Sequence, residues 1–212
     1  MTTSNERPTS PASSTATTLD HRGGGWRPAL VFTALAVLLA GLVYPAIGTV
    51  LGGWLFPEQA TGSMIERDGV VIGSALVAQP FADARYVQPR PSAAGFNPMA
   101  SAGSNLATSN PALRERMQSD AQAVAAREGI AVENVPVELI SASGSGLDPH
   151  LSPEAVAVQV PRVARARGMD EAAVRALVEA HTEGRLLGVF GEPRVNVLAL
   201  NLALDAATPA TP

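Results

Sequence analysis

PALVFTALAVLLAGLVYPAIGTVLGGWLFP, residues 28–57, runs for 30 residues without a single charged side chain. A hydrocarbon core of about 30 Å is crossed by about 20 apolar residues in a helix. The run therefore predicts one membrane-spanning helix, with residues 26–56 as an anchor. Its densest part is Ala29 to Tyr44. Pro45 then removes one backbone donor and predicts a kink before Ile47, Val50, Leu51, Trp54, Leu55 and Phe56 carry the helix on. Trp26 and Trp54 fall near its two ends, where indole prefers the membrane interface. A cleaved secretory signal would need a short apolar core and an Ala-x-Ala-like site. The apolar run is longer than such a core and no clean Ala-x-Ala follows it, so the anchor is read as retained.

Outward from this helix the flanks differ in character. Residues 1–25 are rich in Ser, Thr, Pro and Gly and carry too little apolar surface to offset chain entropy, which predicts a disordered tail. Arg22 and Arg27 precede the helix, while Glu58, Glu66, Arg67 and Asp68 follow it, so the tail is placed in the cytoplasm and the rest of the chain outside. Gly48 and Gly52 make a Gly-x-x-x-Gly pair that allows close approach of a neighbouring membrane helix. Residues 57–205 are long enough for one outer-face domain with its own core. A low-complexity tail of Ala, Thr and Pro is expected over 206–212.

Within the domain, Gly62–Glu66 and Val70–Ala75 are short apolar segments either side of Asp68-Gly69, a hairpin signal. Pro80, Pro89, Pro91 and Pro98 break up the stretch 79–110 into a long loop. Asn110-Pro111 predicts a capped helix over Ala112–Glu128, ending at Gly129. Val135–Ser143 reads as a short strand. Ser152, followed by Pro153 and Glu154, starts a helix running to Arg167 before Gly168, and Asp170 caps another over Glu171–Thr182. Val195–Leu204 fits either a strand or a buried helix; Val197, Leu200, Asn201 and Leu204 share a stripe, which favours helix. The expected fold is a mixed α/β, helix-rich extracytoplasmic domain tethered by one N-terminal transmembrane helix.

Composition excludes several chemistries. The formal charge of −4 argues against nucleic acid as a partner. The chain contains no Cys, which removes thiol catalysis, disulfides and cysteine-bound metals. All 15 basic residues are Arg, so Schiff-base chemistry is excluded as well. Ser143, Ser145, Asp148, His150 and Ser152 form the densest polar cluster. A hydrolase would use Ser143 or Ser145 with His150 or His181 and Asp148, yet the Gly-x-Ser-x-Gly elbow is not met. A metal site would use Asp148, His150, His181 and Glu183, on spacings too common to be diagnostic. Turn and cap chemistry accounts for the same residues. Arg90, Arg162, Arg185 and Arg194 stand beside Pro or Gly and suit a role as staples for loop carbonyls and carboxylates.

A set of ordered blocks carries a family resemblance: Arg90-Pro91-Ser92-Ala93, Gly103-Ser104-Asn105-Leu106 with Ser109-Asn110-Pro111, Ser141 to His150, Gln159-Val160-Pro161-Arg162-Val163-Ala164, His181 to Arg185, and Gly191-Glu192-Pro193-Arg194-Val195-Asn196-Val197-Leu198. With the single anchor, the chain closely resembles the C subunit of the Kdp-type potassium-transporting P-type ATPase over about residues 27–205. Ala102, Ala107 and Val87 depart from the family pattern. The resemblance implies a non-catalytic accessory subunit of a bacterial potassium-uptake pump in the inner membrane. Its partners would be a potassium-conducting subunit, an ATP-hydrolysing P-type subunit and a small membrane peptide. It also implies a catalytic-chaperone role that raises the ATP affinity of the hydrolysing subunit; ATP is the only cofactor implied and no metal is. The glutamines that a nucleotide-binding regulatory subunit would use are Gln79 and Gln159. Residues expected at partner contacts are Gly48, Gly52, Arg90, Asn105, Asp148, His150, Arg162 and Arg194. An outer domain conflicts with direct contact to cytoplasmic ATP, so any effect on ATP affinity would travel through the membrane helices. A membrane-anchored hydrolase is the remaining reading.

Overall fold

The computed structural model describes residues 25–208, so the expected tails lie largely outside the described residues. The chain divides after Leu55 into two units. The first is one unbroken apolar helix, Trp26–Leu55, of 30 residues and therefore about 45 Å long, ample for a membrane core. It consists of α1 (Trp26–Leu38), a π-helical turn over Leu39–Val43, and α2 (Tyr44–Leu55). Pro45 has no N–H to offer the carbonyl one turn earlier, and the ladder widens immediately before it. The irregularity expected at Pro45 is thus a π turn on its N-terminal side. A Cβ built on Gly48 or Gly52 meets nothing within 4 Å, so both glycines present open backbone.

The second unit starts with the short α3 (Pro57–Ala60) and the hairpin β1 (Met64–Arg67) and β2 (Val70–Ser74). Asp68 and Gly69 both take positive φ, 53° and 77°, the backbone that a two-residue hairpin turn demands. The stretch 79–110 holds only one 3₁₀ turn, Pro98–Ala100. After it, α4 (Pro111–Glu128) is capped by the Asn110 side chain on Ala112 N at 3.0 Å and closed by Gly129 in the left-handed region.

Val135–Ser143 is not a strand. It holds a 3₁₀ turn at Val137–Leu139, following another at Val132–Asn134, because Pro136 lacks a donor for a ladder and its carbonyl captures Leu139 N at 3.0 Å. The helix expected over Ser152–Arg167 is split into α5 (Pro153–Ala157) and α6 (Val160–Arg167). Pro161 cannot donate to the helical ladder, and the Gln159 side chain takes Ala155 O at 3.1 Å instead. Next, α7 (Glu171–Ala180) stops two residues short of Thr182, whose hydroxyl bonds Val178 O at 2.7 Å.

Three very short strands then form an antiparallel sheet in the order β3 (His150–Leu151), β5 (Arg194–Asn196), β4 (Thr182–Glu183). Val195 to Leu204 resolves into both alternatives in succession: β5, then α8 (Val197–Ala207) capped by Asn196. α8 continues past Asp205, and Thr208 is bonded to Arg167 at 2.7 Å, so residues 206–208, expected in the tail, belong to the domain, while 209–212 lie outside the described residues. The core is built from small apolar side chains: Leu151, Ala155, Val156, Val160, Val163, Val174, Val195, Leu200 and Leu204 are each at most 1% exposed.

Candidate functional site

The strongest concentration of buried polar groups surrounds the extended segment 84–92. Among the described residues no strand pairs with it. Side-chain amides do so instead. Asn201, on α8, accepts from Val87 N at 2.8 Å and donates to Val87 O at 3.0 Å. Gln159, between α5 and α6, repeats the pattern one residue on, with Gln88 N at 2.8 Å and Gln88 O at 3.1 Å. A primary amide carries a donor and an acceptor side by side, as a peptide group does, so each acts as a one-residue strand partner. Both are fully buried, with Asn201 1% and Gln159 0% exposed.

Arg162 extends this grip. It donates to Ala84 O at 2.6 Å, Tyr86 O at 3.0 Å and Gln159 Oε1 at 2.9 Å, and its Nε meets Glu128 Oε2 at 2.8 Å. Glu128, at the end of α4, has a fully buried carboxylate whose other oxygen accepts from Arg127 Nε at 2.6 Å. A second arginine, Arg167, bonds Arg85 O, Thr208 and Asp205 and lies over the Tyr86 ring at 5.1 Å. At the lead-in, Arg85 N–H donated to Asp83 at 2.9 Å holds that carboxyl below its ordinary range.

The Ser-Gly loop 141–148 is zipped against the far end of the same segment. Ser143 N donates to Pro91 O at 2.9 Å, Ala102 N to Ser145 O at 2.9 Å, and Ser92 Oγ to Gly146 O at 2.6 Å. The Ser143 hydroxyl accepts from Gly146 N and Asp148 N. Ser143 is 2% exposed, so its oxygen is committed to the turn. A Cβ on Gly146, at φ +72°, would come within 2.7 Å of Ala94 Cβ and 2.8 Å of Ala102 O; one on Gly103 would come within 2.7 Å of Gly144 O. The glycines are there because two backbones pass too closely for a side chain.

Beside this loop, Arg90 pairs with Asp148 at 3.2 Å and His150 Nδ1 lies 3.6 Å from Asp148. A cleft of about 370 Å³ opens here, lined by Glu138, Asp148, His150, Glu192 and Arg194 among others. The other two residues of the metal reading are engaged elsewhere: His181 Nδ1 lies 2.8 Å from Leu177 O, and Glu183 pairs with Arg194 at 2.8 Å. Among the described residues no group of three or more His, Asp or Glu is placed to hold a metal ion.

The structure does not bring Gln79 and Gln159 to one place. Gln79 donates to Ile72 O at 3.0 Å and its side chain covers Gly73 in the β2 strand. All four hydrogen-bonding positions of Gln159 are taken by protein groups. Asn105 is exposed in a left-handed conformation, φ 50°, and Arg162 is a staple that is only 10% exposed. Glu128 and Asn201 are grip residues that the sequence marks only as a helix end and as part of a helix stripe. A carboxylate at a helix end and a polar residue inside an apolar stripe were the available signals.

One helix long and apolar enough to cross a membrane, together with a mixed helix-and-sheet domain organised around a gripped loop, defines the class of fold. The chain belongs to the KdpC family, described as K⁺-transporting ATPase, c chain, whose pattern matches residues 26–206. It is 55% identical over 184 residues to the "Potassium-transporting ATPase KdpC subunit" of Xanthomonas oryzae pv. oryzae, covering 87% of this chain and 88% of that one. The protein of the same name from Rhodopseudomonas palustris is 52% identical over 196 residues, covering 86% and 96%. That from Sorangium cellulosum is 53% identical over 184 residues, covering 85% and 97%. The chain is therefore an accessory subunit of a potassium-transporting ATPase, and the blocks quoted from its sequence supply Gln159 and Arg162 to the grip, the zipped loop and the three-stranded sheet.

Proposed function

We propose that the chain is a non-catalytic, single-pass subunit of a bacterial potassium-uptake pump, with its N-terminus in the cytoplasm and its domain on the outer face. There it packs on the potassium-conducting subunit, in an assembly with the ATP-hydrolysing subunit and a small membrane peptide. The observation that carries the placement is the charge step across the helix, from Arg22 and Arg27 to a following segment rich in Asp and Glu. Residues after 56 contain 12 Arg against 17 Asp and Glu, a net −5 that would bias cations toward a nearby potassium entrance. Raising the ATP affinity of the hydrolysing subunit is then a coupling through membrane helices, with Gly48 and Gly52 as the close-packing point. The commitment of Gln159 to Gln88, Ala155 and Arg162 supports an indirect route over a nucleotide site on this domain.

The test is labelling from one side of the membrane. Ala206 is exposed in α8 and the chain is free of Cys, so Ala206→Cys gives a single reactive thiol. A membrane-impermeant maleimide is expected to label it in intact cells. Labelling only after lysis would refute the outer placement and make a direct nucleotide-binding subunit the leading reading. For the packing point, Gly48→Leu blocks the close backbone approach and is expected to cut the other subunits co-purifying in detergent by about fivefold, which corresponds to roughly 1 kcal/mol. Unchanged co-purification would remove Gly48 from the interface.

A further inference from the structure

The loop between β4 and β5 is a short finger whose large side chains face outward. Leu186 is 70% exposed, Leu187 83%, Val189 69% and Phe190 63%. Scattered exposed apolar residues are ordinary, but here four stand within five positions of one turn. The finger is also well built. Leu186 N donates to Phe190 O at 2.8 Å and Phe190 N to Leu186 O at 3.0 Å, and Gly188 N donates to Arg185 O at 3.0 Å. Leu187 is held at φ 54°, a left-handed backbone that leucine rarely adopts and that the surrounding bonds enforce. Two ion pairs close the base, Arg185 with Glu192 at 2.6 Å and Arg194 with Glu183 at 2.8 Å. Beyond them β5 enters the core, where Val195 is 0% exposed.

An apolar tip held in one conformation on a rigid base has already met much of the ordering cost of binding. Its chemistry discriminates between two kinds of partner. A finger that dips into a bilayer draws on unpaired Lys or Arg for anionic headgroups. Here both arginines at the base are neutralised within the hairpin, and the domain as a whole is acidic. An apolar centre ringed by self-paired charges matches the anatomy of a protein interface. We infer that Leu186–Phe190 is a preformed knob that seats in an apolar pocket on another protein chain of the pump. This rests on the reading of the chain as a pump subunit and adds to it the surface through which the domain holds its partner.

The test uses the full-length chain in native membranes with the pump co-expressed. A photoreactive benzoylphenylalanine at Leu187 is irradiated and compared with the same probe at Arg165, an exposed position on α6. The expected product is an adduct with the mass of this chain plus one other subunit, formed at Leu187 and not at Arg165. A lipid adduct at Leu187, or no adduct above the Arg165 level, overturns the proposal. In the same preparations the Leu187→Ser, Phe190→Ser double variant should lose about tenfold or more of its co-purifying subunits while its unfolding midpoint stays put. Retained co-purification overturns it, and a shifted midpoint shows that the finger serves the fold instead. If the unsubstituted chain itself fails to co-purify with the pump, the subunit reading falls and the knob with it.

Discussion

Glu128→Ala is expected to lower the unfolding free energy of the full-length chain in detergent by about 3–5 kcal/mol, the range for removing one partner of a buried ion pair. The Glu128 carboxylate is fully buried and bonded to Arg162 at 2.8 Å and Arg127 at 2.6 Å. Removing it strands the Arg162 guanidinium, which is only 10% exposed, beside Gln159. Arg127 is 38% exposed and turns to water, so Arg162 bears most of the loss. Glu128→Gln keeps the shape and one acceptor and should cost about half as much. Denaturant titration followed by circular dichroism reads the difference as a shift in midpoint at constant slope. A loss under about 1 kcal/mol for Glu128→Ala would mean that the cluster is hydrated and does not hold the segment.

Gln159→Ala is expected to cost about 2–4 kcal/mol, because buried peptide groups left without partners cost roughly 1–3 kcal/mol each. Gln88 N and O and Ala155 O all lose a bond, and Arg162 loses one acceptor. Gln159→Glu is the sharper variant. Its first oxygen still accepts from Gln88 N and Arg162, but its second oxygen faces two carbonyls where an NH₂ stood, so it should be at least as damaging as Ala. The measurement that separates structure from nucleotide chemistry pairs the unfolding midpoint with the KM for ATP of the assembled pump. A grip residue moves the midpoint first. An unmoved midpoint with a raised KM would return Gln159 to a nucleotide role.

Local signals in the chain were legible wherever a rule acts within a few residues. Asp68-Gly69 announced the hairpin, Asn110 with Pro111 the start of α4, Gly129 and Gly168 two helix ends, and the uncharged run the spanning helix. The misreadings occur where a distant group decides. Gln159 looks like an interior helix residue until its amide is seen to be occupied by Gln88, 71 residues away in sequence, which leaves α5 and α6 apart. Strands of two or three residues, such as β3 and β4, are too short to show a period of two, so the sheet had no signature of its own. Of the candidate site, the arginine beside Pro161 was legible as a staple. Its carboxylate partner was hidden in a helix end that reads as solvated from sequence alone.

The grip on segment 84–92 also sets a timetable. Val87 is made 114 residues before Asn201, the side chain that satisfies both of its backbone groups. At about 5–20 residues per second of synthesis, that is a wait of roughly 6–23 s. Through that interval no neighbouring strand is available to take the segment's N–H and C=O groups, and water must serve them. The domain therefore closes last around one of its earliest stretches, and the final helix to emerge, α8, is the element that locks it.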